Sequence, residues 1–133
     1  MEINRHVDIL ARTIYGEARG ETNDGKRAVG LVILNRYRSN KWFSADTIAE
    51  TCQKPWQFSC WNKNDPNYAK ITNATEAVLI PYWKLAESLI NNEFADITNG
   101  ATHYHTKNCH PAWSKGKLPC AIIGNHVFYN NID

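Results

Sequence analysis

The chain has 133 residues, about one ordinary domain, and 43% are hydrophobic, enough for one packed core and unlike a disordered composition. No apolar run approaches the roughly 18 to 20 residues that cross a bilayer, so stable membrane insertion is not expected. The formal charge of +2 comes from scattered Lys and Arg residues, which argues against a nucleic-acid partner.

The first residues, MEINRHVDIL, lack the basic start and apolar stretch of a secretory leader. The expectation is a protein that remains in the compartment where it is made. Val7, Leu10, Ala11 and Ile14 recur at helical spacing, with Ile3 extending the stripe. They predict a helix from about residue 5 that weakens between Gly16 and Gly20. Thr22, Asn23 and Asp24 are candidate N-caps for a second helix. Its body, RAVGLVILNRY, is apolar almost all round and reads as a buried central helix. Ser44 is a candidate cap for a short third helix over residues 45–51.

The following segment, CQKPWQFSCWNKNDPNY, is rich in Pro, Asn and aromatic residues and predicts a long, structured loop. A further helix is predicted from near Pro81 to Asn92, with a weaker helical turn before it at residues 74–79. After Gly100 the pattern becomes strand-like. ATHYH alternates, and AII and HVFY flank Gly124–Asn125, a two-residue hairpin signal. The reading is a single α+β domain over residues 1–133, mainly helical, with a small antiparallel sheet near the carboxyl end.

Four cysteines stand at 52, 60, 109 and 120. Two local disulfides, Cys52–Cys60 and Cys109–Cys120, are possible in an oxidising compartment, and four reduced thiols are the alternative. Five Trp and six Tyr are many for this length. Flat aromatic faces bind sugar rings, but most such residues fill cores and their rims.

The sharpest local feature is YGEARGE, residues 15–21. It sets Glu17 at the end of an amphipathic helix beside glycines that allow close backbone approach. A carboxylic acid shielded there keeps its proton toward neutral pH and can protonate a glycosidic oxygen. A solvated charge at a helix end is the plain alternative.

ARTIYGEARGE, GKRAVGLVILNR, PWQFSCWN, NGATHYH, PAWS and IGNHVFY occur in an order that resembles the SleB-type cell-wall hydrolase family. The resemblance runs from about Leu10 to Tyr129. It implies a lysozyme-like fold related to lytic transglycosylases, with Glu17 as the single catalytic acid and no cofactor or metal. The implied partner is bacterial peptidoglycan, cut at the β-1,4 bond between N-acetylmuramic acid and N-acetylglucosamine. In that chemistry the glutamate protonates the leaving oxygen, then acts as base while the muramoyl 6-hydroxyl closes on carbon 1. Hydrolysis at the same site, as in a muramidase, is the alternative.

The resemblance also places Gln57, Phe58, Ser59 and Trp61 near the cleft, although Phe58 and Trp61 would equally serve to anchor the loop. Relatives often carry Gly where this chain has Trp56, so the rim shape departs from the family. Strand alternation sets His103 and His105 on one face and Tyr104 on the other. Tyr104 or His105 is expected to bond a sugar acetamido group or to orient Glu17. Glu21 is a candidate cleft residue, with support of the second helix as its structural alternative, while Asp65 and Asp96 stand out in no way. Trp113 and Asn125 are expected to serve packing and turn geometry.

Two other classes of function remain. His103, His105, Cys109 and His110 suggest a zinc site, hence a metal-dependent amidase, although HExxH and CxxC motifs are lacking. A noncatalytic wall-binding module would use the aromatic residues alone. A lone catalytic domain without a leader resembles a phage endolysin, made in the host cytoplasm and reaching the periplasmic wall once the membrane is permeabilised. A bacterial wall-remodelling enzyme or spore-cortex lytic domain is the alternative. A monomer is expected.

Overall fold

The computed structural model describes residues 3–133. Helix α1 spans Arg5–Ala18 and begins where the Asn4 side chain accepts the Val7 N–H. Its stripe of Val7, Leu10, Ala11 and Ile14 is buried, as the spacing predicts. Helix α2, Asn23–Ser39, starts on Thr22, whose hydroxyl accepts the Gly25 N–H at 3.2 Å. It ends at Asn40, which takes the left-handed conformation at φ 54°. Every residue from Ala28 to Leu34 on α2 is buried, so this helix lies between two apolar surfaces.

Helix α3, Ile48–Gln53, is capped by Thr47 and not by Ser44, whose hydroxyl instead donates to the Arg36 carbonyl at the end of α2. The anticipated long loop is partly helical. It contains a 3₁₀ turn at Ser59–Trp61 and helix α4, Pro66–Thr72, with Asp65 as N-cap and Pro66 in the first turn. Helix α5, Glu76–Ile90, begins before Pro81 and joins most of the helical turn expected at residues 74–79 to the helix expected from Pro81. Thr75 caps it, and Pro81 sits on its exposed side, where the loss of one backbone donor is tolerated.

Strands β1 (His103–Thr106), β2 (Ala121–Ile123) and β3 (His126–Tyr129) form one antiparallel sheet in the order β1-β3-β2. A 3₁₀ turn at Ala112–Ser114 lies in the β1–β2 connection. The β2–β3 hairpin turns at Gly124–Asn125 with Ile123 opposite His126, as its two-residue signal predicts. The protein is thus a mainly helical α+β domain with a small sheet near its carboxyl end.

Two apolar layers meet at α2. In the larger, Leu10, Ile14, Ile33, Leu34, Ile71 and Leu89 are fully or almost fully buried around α1. In the smaller, Ala28 and Val32 of α2 pack on Ala101 and on Phe128 of β3. This second layer holds the sheet against the helical body and brings β1 over the carboxyl end of α1. The four cysteines are free thiols. Burial raises the Cys52 thiol to about 12, which keeps it protonated and inert. Among the described residues no helix is long and apolar enough to cross a membrane.

Candidate active site

Glu17 occupies the last turn of α1, and its position depends on the residue before it. Gly16 lies so close to α4 and the 3₁₀ turn that an added Cβ would stand 2.8 Å from Ile71 Cγ2 and 2.9 Å from Cys60 Cβ. The missing side chain lets these segments close over the helix end and leaves the Glu17 side chain half-buried. Tyr104 comes across from β1, and its hydroxyl donates to Glu17 Oε1 at 3.0 Å.

Burial raises the Glu17 pKa above the ordinary carboxylate range, and the negative charge of Asp65 adds to the rise. The Tyr104 hydroxyl and the thiol and backbone of Cys60 favour the charged form and only partly offset the burial. Tyr104 is itself partly buried beside this acid; desolvation and the Glu17 charge hold its phenol well above the usual range and keep it a donor. Glu17 therefore retains a proton where a surface glutamate would have lost it.

A cleft of about 340 Å³ opens at this point, lined by Gly16 to Glu21, Asn67, Thr106 and His126. Glu21 lies outside α1, which stops at Ala18. Its carboxylate turns to the β2–β3 hairpin and accepts the Asn125 backbone N–H at 3.1 Å and the Asn125 side-chain amide at 3.2 Å. Although burial opposes it, these donors lower the Glu21 pKa. Gly124 has φ 58°, and a Cβ there would meet Glu21 Oε1 at 2.7 Å. Glu21 thus latches the hairpin while also bordering the cleft. Asn125 serves turn geometry, as expected from the sequence.

The other candidates separate by geometry. Trp61 donates its indole N–H to Thr13 on α1 at 2.9 Å and so ties the loop to the helix. Phe58 is 3% exposed, and its ring packs under Arg36 at 4.7 Å. A ring so enclosed has no face for a sugar. Ser59 is exposed on the 3₁₀ turn. Gln57 accepts the Arg36 guanidinium at 2.8 Å. His105 lies on the sheet face away from Tyr104, as strand alternation requires, with Nε2 2.9 Å from the Tyr129 hydroxyl. It stacks near Trp113, which also packs on His103 and Tyr129. Asp65 caps α4, and Asp96 accepts Asn35, Thr98 and Gly100, so both have structural partners.

The histidine-rich segment does not converge on a metal. His103 Nδ1 meets the Thr102 hydroxyl, and its ring packs against Phe43. Burial and the nearby Arg36 lower the His103 pKa to about 4. Among the described residues no group of three His, Cys, Asp or Glu side chains is arranged to hold a metal ion.

The sequence reading gives no site role to three further residues found here. Arg36 is 6% exposed on α2, donates to the Thr102 carbonyl and Gln57, and lies between the Phe43 and Phe58 rings. Burial lowers its pKa to about 10, while the acidic groups Glu17 and Tyr104 support its charge. Cys60 borders Glu17, and His126 borders the cleft. Only an Arg at the end of an otherwise apolar helix offered a local signal.

Fold and site together define an enzyme-like α+β domain organised around one half-buried acid. The Cell Wall Hydrolase family matches residues 20–129, a span that opens three residues after Glu17. The chain belongs to that family. It is 28% identical over 127 residues to the spore cortex-lytic enzyme of Bacillus subtilis, covering 94% of this chain and 37% of that protein. It is 29% identical to the spore cortex-lytic enzyme of Halalkalibacterium halodurans, covering 93% and 34%. The chain therefore spans about a third of the length of these relatives. Among solved structures it resembles the catalytic domain of the germination-specific lytic transglycosylase SleB from Bacillus anthracis. That likeness has a TM-score of 0.70 and 26% identity, and covers 92% of each chain. The Bacillus cereus SleB catalytic domain shares the fold, with a TM-score of 0.69 at 24% identity over 96% of this chain and 91% of that one.

Proposed function

We propose that this chain is a peptidoglycan-degrading enzyme that cleaves the β-1,4 bond between N-acetylmuramic acid and N-acetylglucosamine, with Glu17 as general acid and a lytic transglycosylase outcome. The observation that carries the reading is a half-buried glutamic acid at a cleft, its pKa raised by burial and its orientation fixed by the Tyr104 hydroxyl. Such a group delivers its proton to the glycosidic oxygen as the bond to carbon 1 breaks. Glu17, now a carboxylate, then takes the proton of the muramoyl 6-hydroxyl as that oxygen closes on carbon 1. Family membership and the likeness to lytic transglycosylase catalytic domains support this choice.

Hydrolysis with a second carboxylate fits less well, because Glu21 is committed to Asn125. Tyr104 is assigned to holding Glu17. Gln57, whose oxygen is taken by Arg36, retains an amide N–H pair suited to a sugar substituent. Ser59 and Trp61 are assigned to the loop that borders the site, with Trp61 as its anchor. His105 is assigned to support of the sheet and not to sugar contact.

Glu17→Gln tests the reading, since it preserves shape and hydrogen bonding but removes the donated proton. Retained binding to purified cell walls with lysis lost is expected, and undiminished lysis refutes the role of Glu17. The host-lysis role of an endolysin is a further proposal resting on the sequence reading alone. Lysis from within, only when the inner membrane is also permeabilised, is the outcome that supports it.

A further inference from the structure

We infer that Trp56 binds the glycan strand, as a flat platform on which one sugar ring stacks outside the Glu17 cleft. On the reading of the chain as a glycan-cleaving enzyme, which it presupposes, Trp56 adds an outer subsite.

Trp56 stands in a turn that disfavours a tryptophan. The Gln57 backbone N–H donates to the Lys54 carbonyl at 3.2 Å, closing a four-residue turn with Pro55 and Trp56 at its centre. Proline fixes a negative φ at the first central position, and Trp56 follows at φ 68°. That combination makes a type II turn, whose second central position favours Gly because a side chain there crowds the backbone. Elsewhere among the described residues, positive φ falls to Gly or Asn, which tolerate it.

Packing does not offset the strain, because the Trp56 ring is 90% exposed. Each of the other four tryptophans meets a partner within the protein. Trp42 packs edge-on against Phe43, Trp61 and Trp83 donate to Thr13 and Asp8, and Trp113 packs on Tyr129. A single exposed ring on ordinary backbone needs no explanation. One held out on strained backbone has the character of a residue kept for contact with a ligand.

The turn is anchored at both ends. Cys52 before it and Phe58 after it are buried, and the Arg36 guanidinium donates to the Gln57 side chain at 2.8 Å. A platform fixed in advance loses little entropy on binding, and an indole has only two side-chain torsions to fix. The C–H face of a sugar ring covers such a surface while its hydroxyls stay in water. The adjacent Gln57 amide, whose oxygen is taken by Arg36, keeps N–H donors for a hydroxyl or acetamido group.

Position along the chain bounds the distance to the chemistry. Four residues after Trp56, Cys60 bonds Glu17 through its thiol and backbone. Four residues span at most about 14 Å, a length that a few linked sugar rings cover. Trp56 does not line the Glu17 cleft, so it serves a sugar farther along the strand than the pair being cut.

Stability and binding separate the roles of the ring, because its removal acts on them in opposite directions. Trp56→Gly relieves the turn by more than it loosens the unfolded chain, so its urea unfolding midpoint should equal or exceed that of the wild type. Binding to peptide-free glycan strands is measured in Glu17→Gln protein, so that no strand is cut. Adding Trp56→Gly should weaken it about tenfold, an amount one aromatic contact supplies. Trp56→Tyr keeps a flat ring and should restore most of that binding. Trp56→Gly binding as tightly as its parent, or Trp56→Tyr binding no better than Trp56→Gly, overturns the inference. So does a lower unfolding midpoint for Trp56→Gly, since the ring would then serve the fold. Weakened binding with Trp56→Gly beside undiminished lysis with Glu17→Gln keeps the platform and defeats the reading of the acid. Lysis lost with Glu17→Gln and binding unaltered by Trp56→Gly defeats the platform alone.

Discussion

Replacing Gly16 by Ala tests whether the close approach beneath Glu17 is real, because the clash and the helix propensity predict opposite signs. Gly16 lies within α1, where Ala is favoured over Gly by about 1 kcal/mol in an unobstructed helix. Here the new methyl would stand 2.8 Å from Ile71 Cγ2, 2.9 Å from Cys60 Cβ and 3.1 Å from Cys60 Sγ. Carbon pairs settle at roughly 3.5 to 4.0 Å, so both neighbours must retreat by at least about 0.6 Å. Both are fully buried and have little room to move.

Overpacking of this kind costs about 1 to 3 kcal/mol, and contact on two sides places it in the upper half. After the helix gain, a net loss of about 1 to 2 kcal/mol remains, or a fall in Tm of roughly 3 to 10 °C at this chain length. Gly20→Ala is the control. Nothing lies within 4 Å of a Cβ there, so its Tm should stay level or rise slightly. Thermal unfolding followed by circular dichroism measures both. A Gly16→Ala protein that melts at or above wild type would refute the packing argument.

Three further outcomes follow from the same site. Tyr104→Phe removes the donor that stabilises the Glu17 carboxylate, so the Glu17 pKa rises and the basic limb of the pH–activity profile moves upward. An unmoved limb would detach Tyr104 from the acid. Arg36→Gln withdraws the guanidinium from the Thr102 carbonyl and Gln57, and urea unfolding should show a loss of about 2 to 4 kcal/mol. Glu17→Gln should be more stable than wild type at neutral pH. The folded pKa of Glu17 is raised, so its native state is favoured below the unfolded value of 4.5 and penalised as pH rises through the folded value. The stability gap between variant and wild type therefore opens above pH 4.5, and equal melting from pH 4 to 8 would contradict the burial of Glu17.

Local pattern carried the helical body because its signals are local. The α1 stripe, the Thr22 cap, the apolar turns of α2 and the Gly124–Asn125 hairpin each depend on residues within one or two turns of each other. Helix α4 was hidden in a segment whose Pro and Asn content reads as loop. Asp65 followed by Pro66 is nonetheless a cap with a first-turn proline, and that pair would have revealed it. The turn expected at residues 74–79 proved continuous with α5, and Thr75 followed by Glu76 marks its start.

The site was legible only at its centre. Glu17 stood out through its helix end and its glycine, and strand alternation correctly turned Tyr104 away from His105. Arg36 looked like an ordinary polar end to a buried helix. Its burial is created by Gln57 and Thr102, 21 and 66 residues away. The Glu21 latch likewise depends on Asn125, 104 residues distant. The contacts to Thr102 and Asn125 depend on the second apolar layer between α2 and the sheet, which no short window displays.

Mass spectrometry of purified peptidoglycan after digestion measures the bond that is cut and the fate of carbon 1. Muropeptides ending in 1,6-anhydromuramic acid, formed by the wild type and absent with Glu17→Gln, are the predicted products. Free peptides released from intact glycan strands would contradict the account.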